Sequence, residues 1–256
     1  MKEERVEFKN SRGEKIVGLL ALPEKEKPPI VIIIHGFKGT KEYYPMVNNA
    51  IKPLTDNGIA VLRIDCRGTG ESDWKFRDMT VESESEDVLT VIEYVKTLNI
   101  DKEKIALMGI SMGADAILMA MEKKPDVKTI VFWGPGWMFK GLEYFDTPEN
   151  RKTVGEEGVF YVTAKLTGQK LVAGKDLFKE FISFDIRPYM KFVEIPILVL
   201  RGSEDDVSTP EQDKEAVELL NAEYVLIENG DHNFLDKKAE GELINRTLDW
   251  FNRWLK

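Results

Sequence analysis

The sequence predicts an α/β protein: a mostly parallel sheet with helices on both faces. Three observations predict it. Short apolar runs bounded by turn residues alternate with stretches of helical spacing along most of the 256 residues. One apolar run, 104–108, leads through Gly109-Ile110-Ser111-Met112-Gly113 into a small-residue helical stretch, 114–124. The alternation breaks once, over 137–192, where 11 of the 25 aromatic residues are gathered.

Along the chain, 6–8 and 15–22 read as strands paired antiparallel about the turn Asn10-Ser11-Arg12-Gly13. Residues 30–34 are continuously apolar, as a strand covered on both faces must be. A helix is expected over 43–56, ended by Asn57-Gly58, and then a strand over 59–64. Over 84–98, Val88, Val91, Ile92 and Val95 fall on one helical stripe. Residues 104–108, 129–133, 195–200 and 224–227 read as further strands, 211–220 and 240–254 as helices. The loops that follow parallel strands share one edge of the sheet, where ligands of open α/β folds bind.

The stretch 137–192 is too long for an ordinary connection. It reads as an inserted lid, or cap, on a core domain made of 1–136 and 193–256. Within it, 158–165 and 170–174 suggest a hairpin around Thr167-Gly168, and 176–183 a short helix. Its aromatics are expected either to wall an apolar acyl or aryl pocket, at least two of them facing substrate, or to form mainly the lid's own core.

The strand-turn-helix around Ser111 is the most informative feature for chemistry. A serine on such a turn stands exposed at the sheet edge, and its strained backbone leaves no room for side chains at the flanking glycines. The helix behind it aims free N–H groups and its positive end at any anion formed there. An activated serine needs a base, usually imidazole. The chain has two histidines, His35 and His232. His232 follows the 224–227 strand, so it can reach the edge that carries Ser111. His35 ends the 30–34 run and reads as a loop histidine with local hydrogen bonds. A carboxylate should orient the base. Glu204, Asp205 and Asp206 all follow the 195–200 strand, and spacing does not choose among them. Two backbone N–H groups should hold the developing oxyanion, one of them from Met112, the other from the loop after 30–34, where Gly36 and Gly39 let the chain turn.

Composition bounds the rest. The formal charge of −9 argues against nucleic acid as a partner. A single cysteine, Cys66, excludes an internal disulfide framework, suits a reducing, cytoplasmic setting, and reads as a small core residue. No apolar run is long enough to span a membrane, and no secretory leader is visible at the start. No Cys/His spacing suggests a metal site. A homo-oligomer stays open.

His35-Gly36-Phe37, Asp65-Cys66-Arg67-Gly68-Thr69-Gly70-Glu71-Ser72, the Gly109–Gly113 pentapeptide, Gly202-Ser203-Glu204-Asp205 and Gly230-Asp231-His232 follow one another as in the serine α/β-hydrolases. From about residue 15 onward the chain resembles that superfamily, most closely its small carboxylesterases of the cinnamoyl and feruloyl esterase type. The resemblance implies an α/β-hydrolase fold. It also implies a triad of Ser111, His232 and Asp205, with Phe37 as the second oxyanion donor beside Met112. The 65–72 loop reads as a structural brace of the sheet edge, acting through Asp65 and Arg67. No cofactor is needed, and the implied partner is a small-molecule ester of short-to-medium acyl or aryl type. Ile110 and Met112 depart from the feruloyl-type pattern, which puts aromatic-ester specificity in doubt rather than catalysis. A thioesterase, acyltransferase or small peptidase could use the same site, and a non-catalytic binding protein of this fold is the alternative of another class.

Overall fold

The computed structural model describes residues 1–139 and 144–256. Among the described residues the strands are β1 Lys2–Lys9, β2 Lys15–Leu22, β3 Ile30–Ile34, β4 Ala60–Asp65, β5 Ile105–Ile110, β6 Thr129–Trp133, β7 Val159–Thr163, β8 Lys170–Gly174, β9 Ile197–Gly202 and β10 Glu223–Ile227. The α-helices among them are α1 Pro45–Asp56, α2 Val81–Val95, α3 Met112–Ala120, α4 Pro148–Glu157, α5 Lys175–Ser183, α6 Arg187–Met190, α7 Pro210–Leu220 and α8 Lys237–Leu255.

Eight strands form one sheet in the order β1-β2-β4-β3-β5-β6-β9-β10, and β7 and β8 pair separately. From β4 to β10 every neighbouring pair is parallel, whereas β2 runs antiparallel to both β1 and β4. The mostly parallel α/β-hydrolase fold is therefore present. The β1–β2 turn follows the expected chemistry: Gly13 sits at φ +81°, and the Asn10 side chain accepts the Arg12 and Glu14 N–H groups.

The apolar runs are buried because helices cover both faces of the sheet. On β3, Ile30, Ile32 and Ile34 join an apolar cluster with α2 and α3, while Val31 and Ile33 join the opposite one with α1 and α8. The period of two along a strand makes this division. Boundaries moved for identifiable reasons. Helix α2 starts at Val81, ahead of the expected 84, because Thr80 and Ser83 form a reciprocal capping box. Strand β5 runs on to Ile110, since the turn follows it directly.

Residues 137–192 hold α4, the β7–β8 hairpin, α5 and α6. The hairpin and α5 were expected. Helices α4 and α6 were not, the former because its ten residues, PENRKTVGEE, bury none of their side chains and so carry no apolar stripe. Trp137, Phe160, Leu177, Phe181 and Met190 belong to the same apolar cluster as α2 and α3. This stretch thus shares its core with one face of the sheet.

Candidate active site

Ser111 stands between β5 and α3 with φ 52° and ψ −124°, in the left-handed region that non-glycine residues seldom occupy. Its neighbours hold it there. The Ser111 N–H donates to the Trp133 carbonyl at 3.0 Å, and its carbonyl accepts from Ala114 N–H at 3.0 Å. A β-carbon on Gly109 would lie 2.8 Å from the Ala114 nitrogen, and one on Gly113 would lie 2.6 Å from the His35 carbonyl oxygen. Both glycines are therefore sterically required.

Strand β9 ends at Gly202, and the following loop carries the three competing acids. The fold separates them. Glu204 and Asp206 are exposed, whereas the Asp205 carboxylate is fully buried. His232 Nδ1 lies 3.0 Å from each Asp205 oxygen. The loops after β9 and β10 meet because both carry glycine at the contact: a β-carbon on Gly230 would lie 2.9 Å from the Gly202 α-carbon. Cross-links from Glu204 N–H to the Gly230 carbonyl and from Asn229 N–H to Ser203 Oγ, both 2.9 Å, fix the pairing. Burial pushes the Asp205 carboxyl up. The hydrogen bond and charge of His232, then the charge of Arg201, outweigh this and hold it below the ordinary aspartate value.

Arg201 and Asp213 form a layer behind this pair that the sequence reading missed. Arg201 is 2% exposed. It donates to Asp205 at 2.7 Å, to Asp213 at 2.8 and 3.0 Å, and to the Pro135 carbonyl at 2.6 Å. Asp213, on α7, also accepts from Trp137 Nε1 at 2.6 Å. The available signal was an arginine closing an otherwise apolar strand, which a buried site tolerates only with carboxylate partners.

Residues 134–138 tie the serine to the acid–histidine pair. Trp133 takes the Ser111 N–H, and a β-carbon on the next residue, Gly134, would lie 2.9 Å from Asp205 Oδ2 and 3.3 Å from His232 Nδ1. The far end of the segment is held by Asp115 on α3, whose Oδ1 accepts the Met138 N–H at 3.0 Å. Asp115 is fully buried, its Oδ2 has no hydrogen-bond partner among the described residues, and burial pushes its carboxyl up to about 7.

Met112 opens α3, the position whose N–H has no acceptor inside the helix. Phe37 lies in the loop after β3, which turns through a Gly39 N–H bond to the Gly36 carbonyl. A β-carbon on Gly36 would lie 2.7 Å from that of Ser111, so glycine is what lets this loop approach the serine. The Phe37 ring packs on Phe181, Phe76 and Phe145, with centroids 5.0 to 5.7 Å away.

His35 is buried, and it makes the expected local contact as well as one to the 65–72 loop. Its Nδ1 faces the Gly36 carbonyl at 3.0 Å, and its Nε2 accepts from Cys66 N–H at 3.1 Å. The 65–72 loop braces the site through Asp65, which accepts from Lys41 N–H at 2.8 Å, Lys41 Nζ at 2.7 Å and Glu71 N–H at 2.9 Å. Arg67 turns instead to α2, where it bonds Asp87, Glu86 and the Ser83 carbonyl. Donor atoms of His35, Cys66 and Glu84 come within 4.8 Å of one another, a grouping invisible in the spacing. The His35 Nε2 lone pair is already taken by the Cys66 N–H, so these residues do not fit a resident metal ion.

Comparison with known proteins agrees with this architecture. The family described as serine aminopeptidase, S33, matches residues 25–172. An uncharacterized 31.7 kDa protein of Escherichia coli is 26% identical over 264 residues, covering 90% of this chain and 91% of that one. The mitochondrial palmitoyl-protein thioesterase ABHD10 of Bos taurus is 26% identical over 236 residues, covering 88% of this chain and 73% of that one. Among solved structures, Est1E from Butyrivibrio proteoclasticus bound to ferulic acid superposes with a TM-score of 0.78 at 23% identity, covering 96% of this chain and 97% of that one. The strained serine turn, the parallel sheet and the S33 match lead to one conclusion: the chain belongs to the S33 serine aminopeptidase family, and so to the serine α/β-hydrolases.

Proposed function

We propose that the protein is a serine hydrolase of carboxylic esters or thioesters, working through Ser111, His232 and Asp205. The observation that carries this is the buried Asp205 carboxylate, which meets His232 Nδ1 with both oxygens at the sheet edge that bears the strained Ser111. Asp205 fixes the imidazole so that Nε2 is the nitrogen left to act as base, and it stabilises the imidazolium that forms. His232 takes the Ser111 proton as Oγ attacks the carbonyl. The Met112 and Phe37 N–H groups hold the oxyanion, helped by the positive end of α3. His232 then protonates the leaving alkoxide or thiolate, and water releases the acid from the acyl-enzyme by the same route.

Residues 137–192 act in this reading as a lid whose aromatics wall the acyl site. Support comes from Phe145 and Phe181, which pack on the ring of Phe37, the residue assigned to the oxyanion hole. The thioester alternative draws on the thioesterase activity in the name of the Bos taurus relative. Titration with a fluorophosphonate tests the class: one equivalent should label wild type, with the adduct on Ser111, and none should label Ser111→Ala. Unlabelled, folded wild-type protein would favour a non-catalytic binding role. Matched nitrophenyl esters, acyl thioesters and aminoacyl anilides of rising chain length then separate ester, thioester and amide chemistry.

A further inference from the structure

Three lysines gather where the β7–β8 hairpin meets the loop of Phe37. Lys38 follows Phe37 directly. Its Nζ donates to the Thr163 carbonyl at the end of β7 at 3.2 Å and lies 5.4 Å from the Phe37 ring centroid. Lys170 is the cross-strand partner of Thr163, and Lys165 stands two residues beyond it. The hairpin end is docked a second time, by the Leu166 N–H on the Tyr43 hydroxyl at 3.0 Å. Lys165 and Lys170 are exposed and Lys38 is half-buried. Among the described residues none of the three forms an ion pair.

In this chain of net charge −9, the buried cations Lys41, Arg67 and Arg201 each meet carboxylates. Burial first, and the like charge of Lys165 second, hold the Lys38 ammonium below the ordinary lysine value. Two of its three N–H donors remain for a ligand. The loop that carries Lys38 also approaches Ser111. Gly36, two residues before Lys38, is the residue whose β-carbon would touch Ser111.

We infer that Lys38, Lys165 and Lys170 form a cationic clamp at the mouth of the active site, and that it selects substrates bearing an anionic group, carboxylate or phosphate, beyond the scissile bond. The inference rests on the ester or thioester reading of Ser111 and names the substrate class for it. An anion there would take the free donors of Lys38 and relieve the repulsion between the Lys38 and Lys165 ammonium groups. The two sources of the anion differ in where it sits: a carboxylate at the far end of the acyl chain, or the phosphates of a thioester carrier on the leaving group.

The test uses two matched pairs. Mono-4-nitrophenyl glutarate against 4-nitrophenyl butyrate reads an acyl-end carboxylate. Butyryl-coenzyme A against butyryl-N-acetylcysteamine reads carrier phosphates. Wild type should favour one anionic member over its neutral partner by about tenfold in kcat/KM, an advantage that fades in about 0.5 M salt. Lys165→Glu combined with Lys170→Glu should remove that preference, chiefly through KM, with neutral substrates unchanged within about twofold. Lys38→Gln keeps a donor for the Thr163 carbonyl and removes the charge, so it should do the same; a merely structural latch would leave the preference intact. Calorimetric binding of glutarate and of coenzyme A to Ser111→Ala, with and without the lysine changes, reads the clamp independently of turnover. If no ester or thioester is hydrolysed yet binding still depends on the lysines, the clamp stands and the hydrolase assignment falls. Equal handling of both pairs, with binding indifferent to all three lysines, overturns the clamp.

Discussion

Asp205 shows how three adjacent acids become unequal once the chain folds. Its neighbours face water, while it lies buried against His232, Arg201 and the Val207 N–H. Asp205→Asn should therefore lose several orders of magnitude in kcat, about 10⁴-fold where the amide holds the wrong imidazole tautomer, with folding intact. Asp206→Asn and Glu204→Gln should stay within about tenfold, because their charges lie outside the hydrogen-bonded set. A dead Asp206→Asn variant would move the acid by one position. Ser111→Ala and His232→Ala should each lower kcat by roughly 10⁴-fold or more, and the double variant should be little worse. Additive losses would show that the two do not act as a unit.

Asp115 supplies a prediction of a different kind. Its folded value, about 7, is raised above that of an unfolded aspartate, so the unfolded chain gives up this proton first as pH rises. The contribution of Asp115 to stability is fully present below about pH 4 and is lost as the pH rises to about 7. Asp115→Asn keeps an oxygen for the Met138 N–H and cannot ionise. Thermal melts should show wild type losing ground to this variant across that window. A difference in Tm that does not change with pH would mean that Asp115 does not change its protonation between the folded and unfolded chain across that window.

At the scale of elements, the 137–192 stretch is joined to the loop of Phe37 by aromatic packing. Phe181 on α5 is 1% exposed, and its ring lies 5.0 Å from Phe37 and 4.5 Å from Phe145. Phe181→Ala should destabilise the protein by about 3–5 kcal/mol, the usual loss for a buried phenylalanine. It should also change the preference for acyl length, since an apolar pocket gains about 0.8 kcal/mol per buried CH₂ until it is full. A chain-length profile left unchanged in this variant would place the acyl site away from α5. The same packing explains why sequence periodicity failed here. Helix α5 carried a readable apolar stripe, but α4 buries none of its residues, and α6 is a four-residue turn set by its tertiary neighbours.

For the whole molecule, the sheet and the inserted segment share one apolar cluster on the α2–α3 face. Replacing residues 137–192 with a short Gly/Ser linker should spare Ser111, His232 and Asp205 yet uncover that face. The lidless chain should aggregate or bind hydrophobic dyes, and any folded fraction should hydrolyse short nitrophenyl esters with a flattened chain-length preference. A soluble, monomeric lidless protein with the original preference would mean that the core alone builds the pocket.

The sequence by itself determined the alternation of strands and helices, the pentapeptide at the strand end and the positions of its two histidines. These are local patterns: an apolar period of two or 3.6, and glycines where the chain must turn closely, act over a few residues and survive in the linear text. Tertiary structure decided which of Glu204, Asp205 and Asp206 meets His232, and that Arg201 and Asp213 stand behind that pair. It also gathered Lys38 with Lys165 and Lys170, more than a hundred positions apart. Exposure and pairing of a charged side chain depend on what lies across a contact, and that partner belongs to another strand, helix or loop. Neighbouring acids with near-identical local contexts can therefore end up buried or solvated, and only the packed sheet edge assigns them.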